Sequence, residues 1–134
     1  MSGTLVDSNV LLDVLTNDPV WSAWSAARLE ECASEGALYI NPLIYAEVSI
    51  GFDRIEQVET ALPEESFRRL PLPSEAAFLA GKAFVRYRQQ GGARTATLPD
   101  FFIGAHAAVA DLRLLTRDAS RYRTYFPTVR IIAP

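Results

Sequence analysis

The chain has 134 residues, of which 49% are hydrophobic and 22% are charged, a composition typical of one globular domain. One histidine and one cysteine exclude a multi-histidine or cysteine-rich zinc site and a pair of catalytic histidines. The net charge of −3 conceals an asymmetry, because residues 1–81 carry 4 basic and 13 acidic side chains whereas residues 82–134 carry 9 basic and 3 acidic ones.

The N-terminal third of the sequence predicts a strand, two helices and then a second strand. Apolar residues 4–6 form a short strand that runs into residues 7–9, a polar Asp-Ser-Asn cluster able to cap the helix after it. Asp18 followed by Pro19 predicts the N-cap and the first residue of a second helix, which ends at Gly36. The second strand follows directly.

The rest of the chain continues this alternation, with prolines and glycines marking the ends of elements. The predicted elements are helices that begin at Pro42 and near Ile55, a short strand at residues 70–73, a long helix capped by Ser74 and stopped at Gly91, a helix opened by residues 97–100, a strand at 114–115, a short helix carrying Tyr122 and Phe126, and a last strand at 129–132. This order predicts a single α/β domain, residues 1–134, with a mostly parallel sheet covered by helices on both faces.

Several classes of protein are excluded by missing patterns. The seven glycines form neither GxGxxG nor a P-loop, and no serine lies in GxSxG. The longest weakly polar run, residues 101–110, is too short to span a membrane. The N-terminus lacks the features of a signal peptide, so we expect a cytoplasmic protein in which Cys32 is a free, buried thiol.

Acidic residues fall where parallel sheets gather ligands, at the carboxyl ends of strands. Asp7 follows the first strand, Asp118 follows the strand at 114–115, and Asp100 lies in the first turn of a helix. Each has a local alternative: Asp7 and Asp118 are possible helix caps, and Asp100 fits a capping box with Thr97.

Glu47 is harder to explain locally. It shares a helix face with Leu43 and Ile44, so its carboxylate is predicted to point inward. A buried unpaired carboxylate costs roughly several kcal/mol unless it is protonated, paired or bound to a metal. An arginine partner, or a helix that faces solvent after all, would also account for it.

If the four carboxylates converge, their repulsion disfavours simultaneous ionisation unless a cation is present. Oxygen ligands without histidine or thiolate favour Mg²⁺ or Mn²⁺ over zinc. Such an ion activates water and stabilises the charge that develops during phosphodiester hydrolysis. The basic second half would then hold the nucleic-acid backbone.

Four segments in order, LVDSNVLLD, YAEVSIG, LPDFFIGAHA and LLTRD, resemble the PIN-domain ribonucleases and specifically the VapC toxins of prokaryotic toxin–antitoxin pairs. The resemblance implies a PIN-like three-layer α/β/α sandwich with about five strands. It places the metal-binding and catalytic acids at Asp7, Glu47, Asp100 and Asp118, supported by Ser8, Asn9 and Thr116. Asparagine is common in the family at the position of Asp118, which leaves open whether this residue ligates metal directly.

The same resemblance implies a Mg²⁺- or Mn²⁺-dependent endoribonuclease that cleaves RNA, such as transfer RNA or another structured RNA, through metal-activated water. It also implies a VapB-type antitoxin as partner and a homodimer. The alternatives are a PIN nuclease of RNA maturation or decay without an antitoxin, an inactive RNA-binding PIN module, and a receiver-like signalling domain. A receiver domain would need an acidic pair after the first strand and a late lysine, and the chain has Asp7-Ser8 and no lysine after Lys82.

Arginines interleaved with aromatic residues form two candidate RNA-binding clusters. The first comprises Arg86, Tyr87, Arg88 and Arg94, and the second comprises Arg121, Tyr122, Arg123 and Tyr125. Guanidinium groups bind phosphate and aromatic rings stack on bases, a combination that suits single-stranded RNA. The alternative is a set of solvated arginines. His106, in an Ala-rich helix, is predicted to be a packed or surface residue rather than a catalyst.

Overall fold

The computed structural model describes residues 3–91 and 96–134, and its elements follow the predicted alternation of strands and helices. The strands are β1 (Thr4–Val6), β2 (Leu38–Ile40), β3 (Arg68–Arg69), β4 (Arg113–Leu115) and β5 (Ile131–Ile132). The helices are α1 (Ser8–Leu15), α2 (Ser22–Glu35), α3 (Pro42–Ser49), α4 (Ile55–Ala61), α5 (Ser74–Gln89), α6 (Leu98–Val109) and α7 (Ser120–Tyr125).

The five strands form one parallel sheet in the order β3-β2-β1-β4-β5. The central strand β1 is apolar on both faces, and Leu5 and Val6 are fully buried, as expected for a parallel strand covered on both sides. The chain winds from β1 toward β3 in one direction and later from β4 toward β5 in the other. The connections after β1 and β4 therefore diverge, and a crevice for ligands opens beyond the carboxyl ends of these two strands.

The helices form two layers, one on each face of the sheet. Because parallel crossovers are right-handed, the reversal of winding places α1–α4 on one face and α5–α7 on the other. The contacts agree, since α1 packs on α2 and α3, while α5 packs on α6 and α6 packs on α7. The predicted α/β class with a mostly parallel sheet is confirmed.

Two predicted boundaries differ because local hydrogen bonding decides them. Asp18 and Pro19 do not begin α2: the Asp18 carboxylate accepts the N–H groups of Val20 and Trp21, which holds a turn before the helix starts at Ser22. The strand predicted at residues 70–73 lies earlier, at Arg68–Arg69. Pro71 and Pro73 have no N–H to donate to β2, so pairing ends before them.

Two predicted helix caps are also wrong. Pro73 rather than Ser74 occupies the N-cap position of α5, and Ala119 rather than Asp118 occupies that of α7. Neither N-cap side chain accepts a backbone N–H. The carboxylate of Asp118 is therefore not committed to capping α7.

Helix α7 lies close to α6 at Gly104. A Cβ atom at this position would meet the rings of Phe126 and Tyr122, which are both buried. The glycine therefore lets two aromatic rings rest on the backbone of α6, and this packing holds Tyr122 beneath the crevice between β1 and β4. Cys32 is a free, buried thiol, as predicted. Within residues 3–91 and 96–134, no helix has the length and apolarity to cross a membrane.

Candidate active site

Asp7 lies at the carboxyl end of β1, is 5% exposed and caps α1. Its Oδ1 atom accepts the Ser8 N–H at 2.8 Å. Its Oδ2 atom accepts the hydroxyls of Thr116 at 2.9 Å and Tyr122 at 3.0 Å. Burial raises the pKa of Asp7 above its usual range although these hydrogen bonds oppose the shift, and the charge of Asp100 adds to the increase. The residue is thus both the predicted cap and a carboxylate that ionises at a cost.

Thr116 and Asn9 support this arrangement from the end of β4 and the start of α1. Thr116 is fully buried, and its Oγ1 atom accepts the Asp118 N–H at 3.1 Å while donating to Asp7. Asn9 accepts the Arg117 N–H at 3.1 Å through its Oδ1 atom. These bonds hold the carboxyl ends of two neighbouring strands together, so the position of Asp7 is fixed by both.

Glu47 is half-buried on α3, and its Oε1 atom accepts the Ser8 hydroxyl at 2.8 Å. Ser8 therefore joins Glu47 to Asp7, since its N–H donates to one carboxylate and its hydroxyl to the other. Burial raises the pKa of Glu47, and the negative charges of Asp7 and Asp100 raise it further. The side chain is turned toward the acidic residues.

Asp100 lies in the first turn of α6 and forms the predicted capping box, in which its Oδ2 atom accepts the Thr97 N–H at 2.8 Å. The same oxygen lies 3.8 Å from the guanidinium of Arg121. Because its charge raises the pKa of both Asp7 and Glu47, Asp100 lies near these two carboxylates. Asp100 therefore takes part in the capping box of α6 and also acts electrostatically on the other two carboxylates.

Asp118 is placed differently from the other three acids. It is exposed, and its Oδ1 atom accepts the Ser120 hydroxyl at 3.5 Å. Its charge contributes to the pKa of Arg117 and is absent from the charges that shift Asp7 and Glu47. The structure therefore brings together Asp7, Glu47 and Asp100, which we call the acidic cluster, and leaves Asp118 outside it.

Asp13 shows how the acidic cluster differs from a buried carboxylate that forms an ion pair. Asp13 is 2% exposed, and Arg117 donates to both of its oxygens at 2.8 and 2.9 Å. In contrast, no ion pair among the described residues includes Asp7 or Glu47. Of the two buried carboxylates, Asp13 on α1 therefore has a cationic partner, whereas Asp7, the N-cap of α1, has none among the described residues.

No metal centre is already formed in the part of the chain that the structure describes. Across residues 3–91 and 96–134, no three His, Cys, Asp or Glu side chains lie close enough together to hold one ion. The charge of Asp100 raises the pKa of Asp7 and of Glu47, but the three carboxylates of the acidic cluster do not converge on a single point.

Tyr122 was assigned by the sequence to an RNA-stacking cluster, and the structure corrects this assignment. The side chain is 2% exposed, and its hydroxyl donates to Asp7. Burial, together with the charge of Asp7, raises the pKa of the Tyr122 phenol well above its usual range, so it remains a donor. Its spacing from Phe126 already indicated an inward face, where a buried hydroxyl needs a partner.

His106 is buried, which is one of the two positions predicted for it, and it joins the two helices that carry acidic residues. Its Nδ1 atom lies 3.0 Å from the amide nitrogen of Asn41, whose oxygen accepts the Ile44 N–H at the start of α3. Burial lowers the pKa of His106, which favours the neutral ring that accepts from the amide. The residue ties α6 to α3 and has a structural role.

The described arginines of the two predicted RNA-binding clusters lie on α5 and α7. Arg86 and Arg88 are exposed on α5, and the guanidinium of Arg86 lies 5.6 Å from the ring centre of Tyr125. Arg123 is exposed on α7, whereas the Arg121 side chain is 19% exposed beside Asp100. Arg94 lies outside the described residues. Arg121 therefore lies between this basic surface and the acidic cluster.

Comparison with known proteins gives one family and several similar folds. The family model of the PIN domain matches residues 4–127. Similar solved structures include VapBC2 from Rickettsia felis bound to a DNA fragment from their promoter, with a TM-score of 0.75, 17% identity and 98% of each chain covered. VapBC-1 from nontypeable Haemophilus influenzae has a TM-score of 0.74 and 20% identity, and the match covers 98% of this chain and 97% of the Haemophilus chain. A toxin–antitoxin complex from Klebsiella pneumoniae has a TM-score of 0.68 and 22% identity, with 89% of each chain covered. At these identities the likeness shows the fold, and no protein of curated function matches the sequence.

Proposed function

The chain belongs to the PIN-domain family of nucleases, and we propose that it is a Mg²⁺- or Mn²⁺-dependent endoribonuclease acting as the toxin of a toxin–antitoxin pair. The observation that carries the proposal is Asp7, a buried carboxylate without a described cationic partner at the point where the sheet changes its winding direction. The charge of Asp100 raises the pKa of Asp7, and the charges of Asp7 and Asp100 raise the pKa of Glu47. Such an arrangement favours the binding of a cation.

The acidic cluster fits a hard divalent ion by the chemistry of its donors. All its donor atoms are carboxylate oxygens, and Mg²⁺ commonly binds through one or two carboxylates while it keeps several waters. Three converging ligands are therefore not required before the ion arrives. We propose Asp7, Glu47 and Asp100 as the residues that hold it, with the exposed Asp118 assisting from outside the cluster. When bound, the ion would supply activation of water and stabilisation of charge on the phosphate.

The surrounding residues would prepare the cluster for substrate. Ser8 orients Asp7 and Glu47 through one N–H and one hydroxyl, which fixes two carboxylates relative to each other. Arg121, 3.8 Å from Asp100, would place a guanidinium beside the reacting phosphate. Thr116 holds Asp7 from β4. These groups bind and orient, and the acidic cluster excludes RNA until its charge is neutralised.

Similar solved structures support the biological role that we propose. The solved proteins of this fold include VapBC pairs and a toxin–antitoxin complex. We propose a VapB-type antitoxin as the partner of this chain, a homodimer as its assembly, the cytoplasm as its location, and RNA, such as transfer RNA or another structured RNA, as its substrate.

Cleavage should depend on divalent metal and on RNA. A labelled single-stranded RNA should be cut in Mn²⁺ or Mg²⁺, and a chelator should slow the cut about a thousandfold or more, because the ion supplies several kcal/mol of transition-state stabilisation. DNA of the same sequence is the matched substrate control. Equal cleavage with and without chelator would contradict the metal-dependent function. Cleavage of DNA but not of RNA would contradict the proposed ribonuclease activity.

The exposed arginines of α5 should hold RNA through its phosphates. On a single strand, log affinity should fall with log salt by roughly 0.7 per phosphate contact, and replacing Arg86 and Arg88 with alanine should flatten that slope. Fluorescence anisotropy across salt concentrations measures it. Arg54→Ala, at an exposed arginine in the acidic half, is the control and should leave the slope unchanged. If the α5 variant keeps the wild-type affinity and slope, RNA is held elsewhere, with Arg121 and Arg123 the next residues to replace.

A further inference from the structure

The two oxygens of Asp7 are engaged unequally. Oδ2 accepts two hydroxyls, from Thr116 at 2.9 Å and Tyr122 at 3.0 Å, whereas Oδ1 accepts only the Ser8 N–H at 2.8 Å among the described residues. An ionised carboxylate offers about four lone-pair positions, two on each oxygen. Both lone-pair positions on Oδ2 accept hydrogen bonds, so the lone-pair position that remains available lies on Oδ1.

The two hydroxyls reach Oδ2 from separate and firmly packed elements. Thr116 is fully buried at the end of β4, while Tyr122 comes from α7 and its ring rests against Gly104 of α6. Neither donor belongs to α1, the helix that Asp7 caps. The carboxylate is therefore held from outside its own segment, and its rotation toward a ligand with both oxygens would break two buried hydrogen bonds.

We infer that Tyr122 determines which ion the acidic cluster selects, because its hydroxyl keeps Oδ2 occupied and makes Asp7 offer a cation one oxygen, Oδ1, instead of two. The inference rests on the proposed metal-dependent function. Ca²⁺ accepts both oxygens of a carboxylate within a large and flexible ligand shell, whereas Mg²⁺ and Mn²⁺ require compact octahedral coordination by single oxygens and waters. Holding Oδ2 thus favours the smaller ions over Ca²⁺.

The position of Tyr122 excludes a role in stacking on RNA bases. Its side chain is 2% exposed, and the ring lies against the backbone of Gly104. The hydroxyl is the part of the residue that reaches the acidic cluster. Removing that single oxygen while keeping the ring therefore tests the inference with little disturbance of packing.

The test is a calorimetric titration of the full chain with Mn²⁺ and, separately, with Ca²⁺. Partners that orient metal ligands change affinity by about 10–100-fold when they are removed. For Tyr122→Phe we expect the preference for Mn²⁺ over Ca²⁺ to fall about tenfold, through weaker Mn²⁺ binding, stronger Ca²⁺ binding or both. Thr116→Val removes the other hydroxyl from Oδ2 and should shift the preference in the same direction.

Tyr45→Phe is the matched control. It also removes a hydroxyl that donates to a carboxylate, Glu59 at 2.6 Å, but that carboxylate lies outside the acidic cluster, so the preference should stay at the wild-type value. Thermal melting checks that each variant is folded. If Tyr122→Phe and Thr116→Val both keep the wild-type preference, the inference is overturned while the proposed function stands. If the wild type binds Mn²⁺ no better than Asp7→Asn does, the metal-dependent function itself fails, and the inference with it.

Discussion

Asp7→Asn is expected to abolish RNA cleavage and, in the absence of divalent metal, to make the folded protein more stable. The amide is similar in shape and can still serve as a helix cap, but it carries no charge to hold a cation. Cleavage should fall about a thousandfold or more, because the step that depends on the ion is lost. Stability should rise because a buried carboxylate without a described cationic partner is removed.

The gain in stability should depend on pH in a defined direction. The pKa of Asp7 is raised in the folded state, so the folded protein binds this proton more tightly than the unfolded chain does. Wild-type stability contributed by this group is full at acid pH and is lost as pH rises through the raised pKa. Asp7→Asn should therefore match the wild type near pH 3 and exceed it at neutral pH, as measured by thermal melting in a chelator.

Asp13→Asn is the control for this experiment. Asp13 is also buried on α1, but it pairs with Arg117, so removing its charge should destabilise the protein and leave the cleavage mechanism in place. Glu47→Gln and Asp100→Asn should lose cleavage as Asp7→Asn does, whereas Asp118→Asn should have a milder effect because its side chain is exposed. Wild-type cleavage by Asp7→Asn would remove the acidic cluster from the mechanism.

Expression of the wild-type chain alone is expected to stop bacterial growth, whereas equal expression of Asp7→Asn is not. The difference follows from the proposed toxin role, because an unopposed ribonuclease destroys RNA that translation needs. Colony counts and incorporation of labelled amino acids after induction measure it. Growth should resume when the partner antitoxin is produced with the toxin.

The comparison requires that the two chains accumulate to the same level, which immunoblotting establishes. If cells that express the wild-type chain grow normally while the purified chain cuts RNA, the protein is a nuclease of RNA maturation or decay and the toxin role is wrong. Arrest by both chains would show that toxicity does not come from catalysis.

The sequence was informative where local chemistry decides the structure. Alternating apolar runs predicted the α/β class, and the capping box of Thr97 and Asp100 fixed the start of α6 within a few residues. Proline positions explain the shorter β3, since a residue without an N–H ends the pairing. Strand ends also directed attention to Asp7, which Ser8 links to Glu47 and whose pKa the charge of Asp100 raises.

Contacts between distant residues could not be predicted in this way. The hydrogen bond from Tyr122 to Asp7 joins residues separated by 115 positions, and the pairing of Arg117 with Asp13 spans 104 positions. Periodicity shows that Tyr122 faces inward but does not show what its hydroxyl meets. Similarly, Asp118 follows a strand as Asp7 does, and only the path of the chain into α7 shows that its carboxylate turns to solvent.

The order of the strands has a consequence for protein synthesis. Asp7 is synthesised before β4, with which β1 pairs, and before Thr116 and Tyr122, whose hydroxyls hold its carboxylate. A nascent chain that has not yet exposed β4 and α7 therefore has the first acidic residue without the groups that orient it. Since domains fold as units as they emerge, the acidic cluster is held in place only after β4 and α7 have been synthesised.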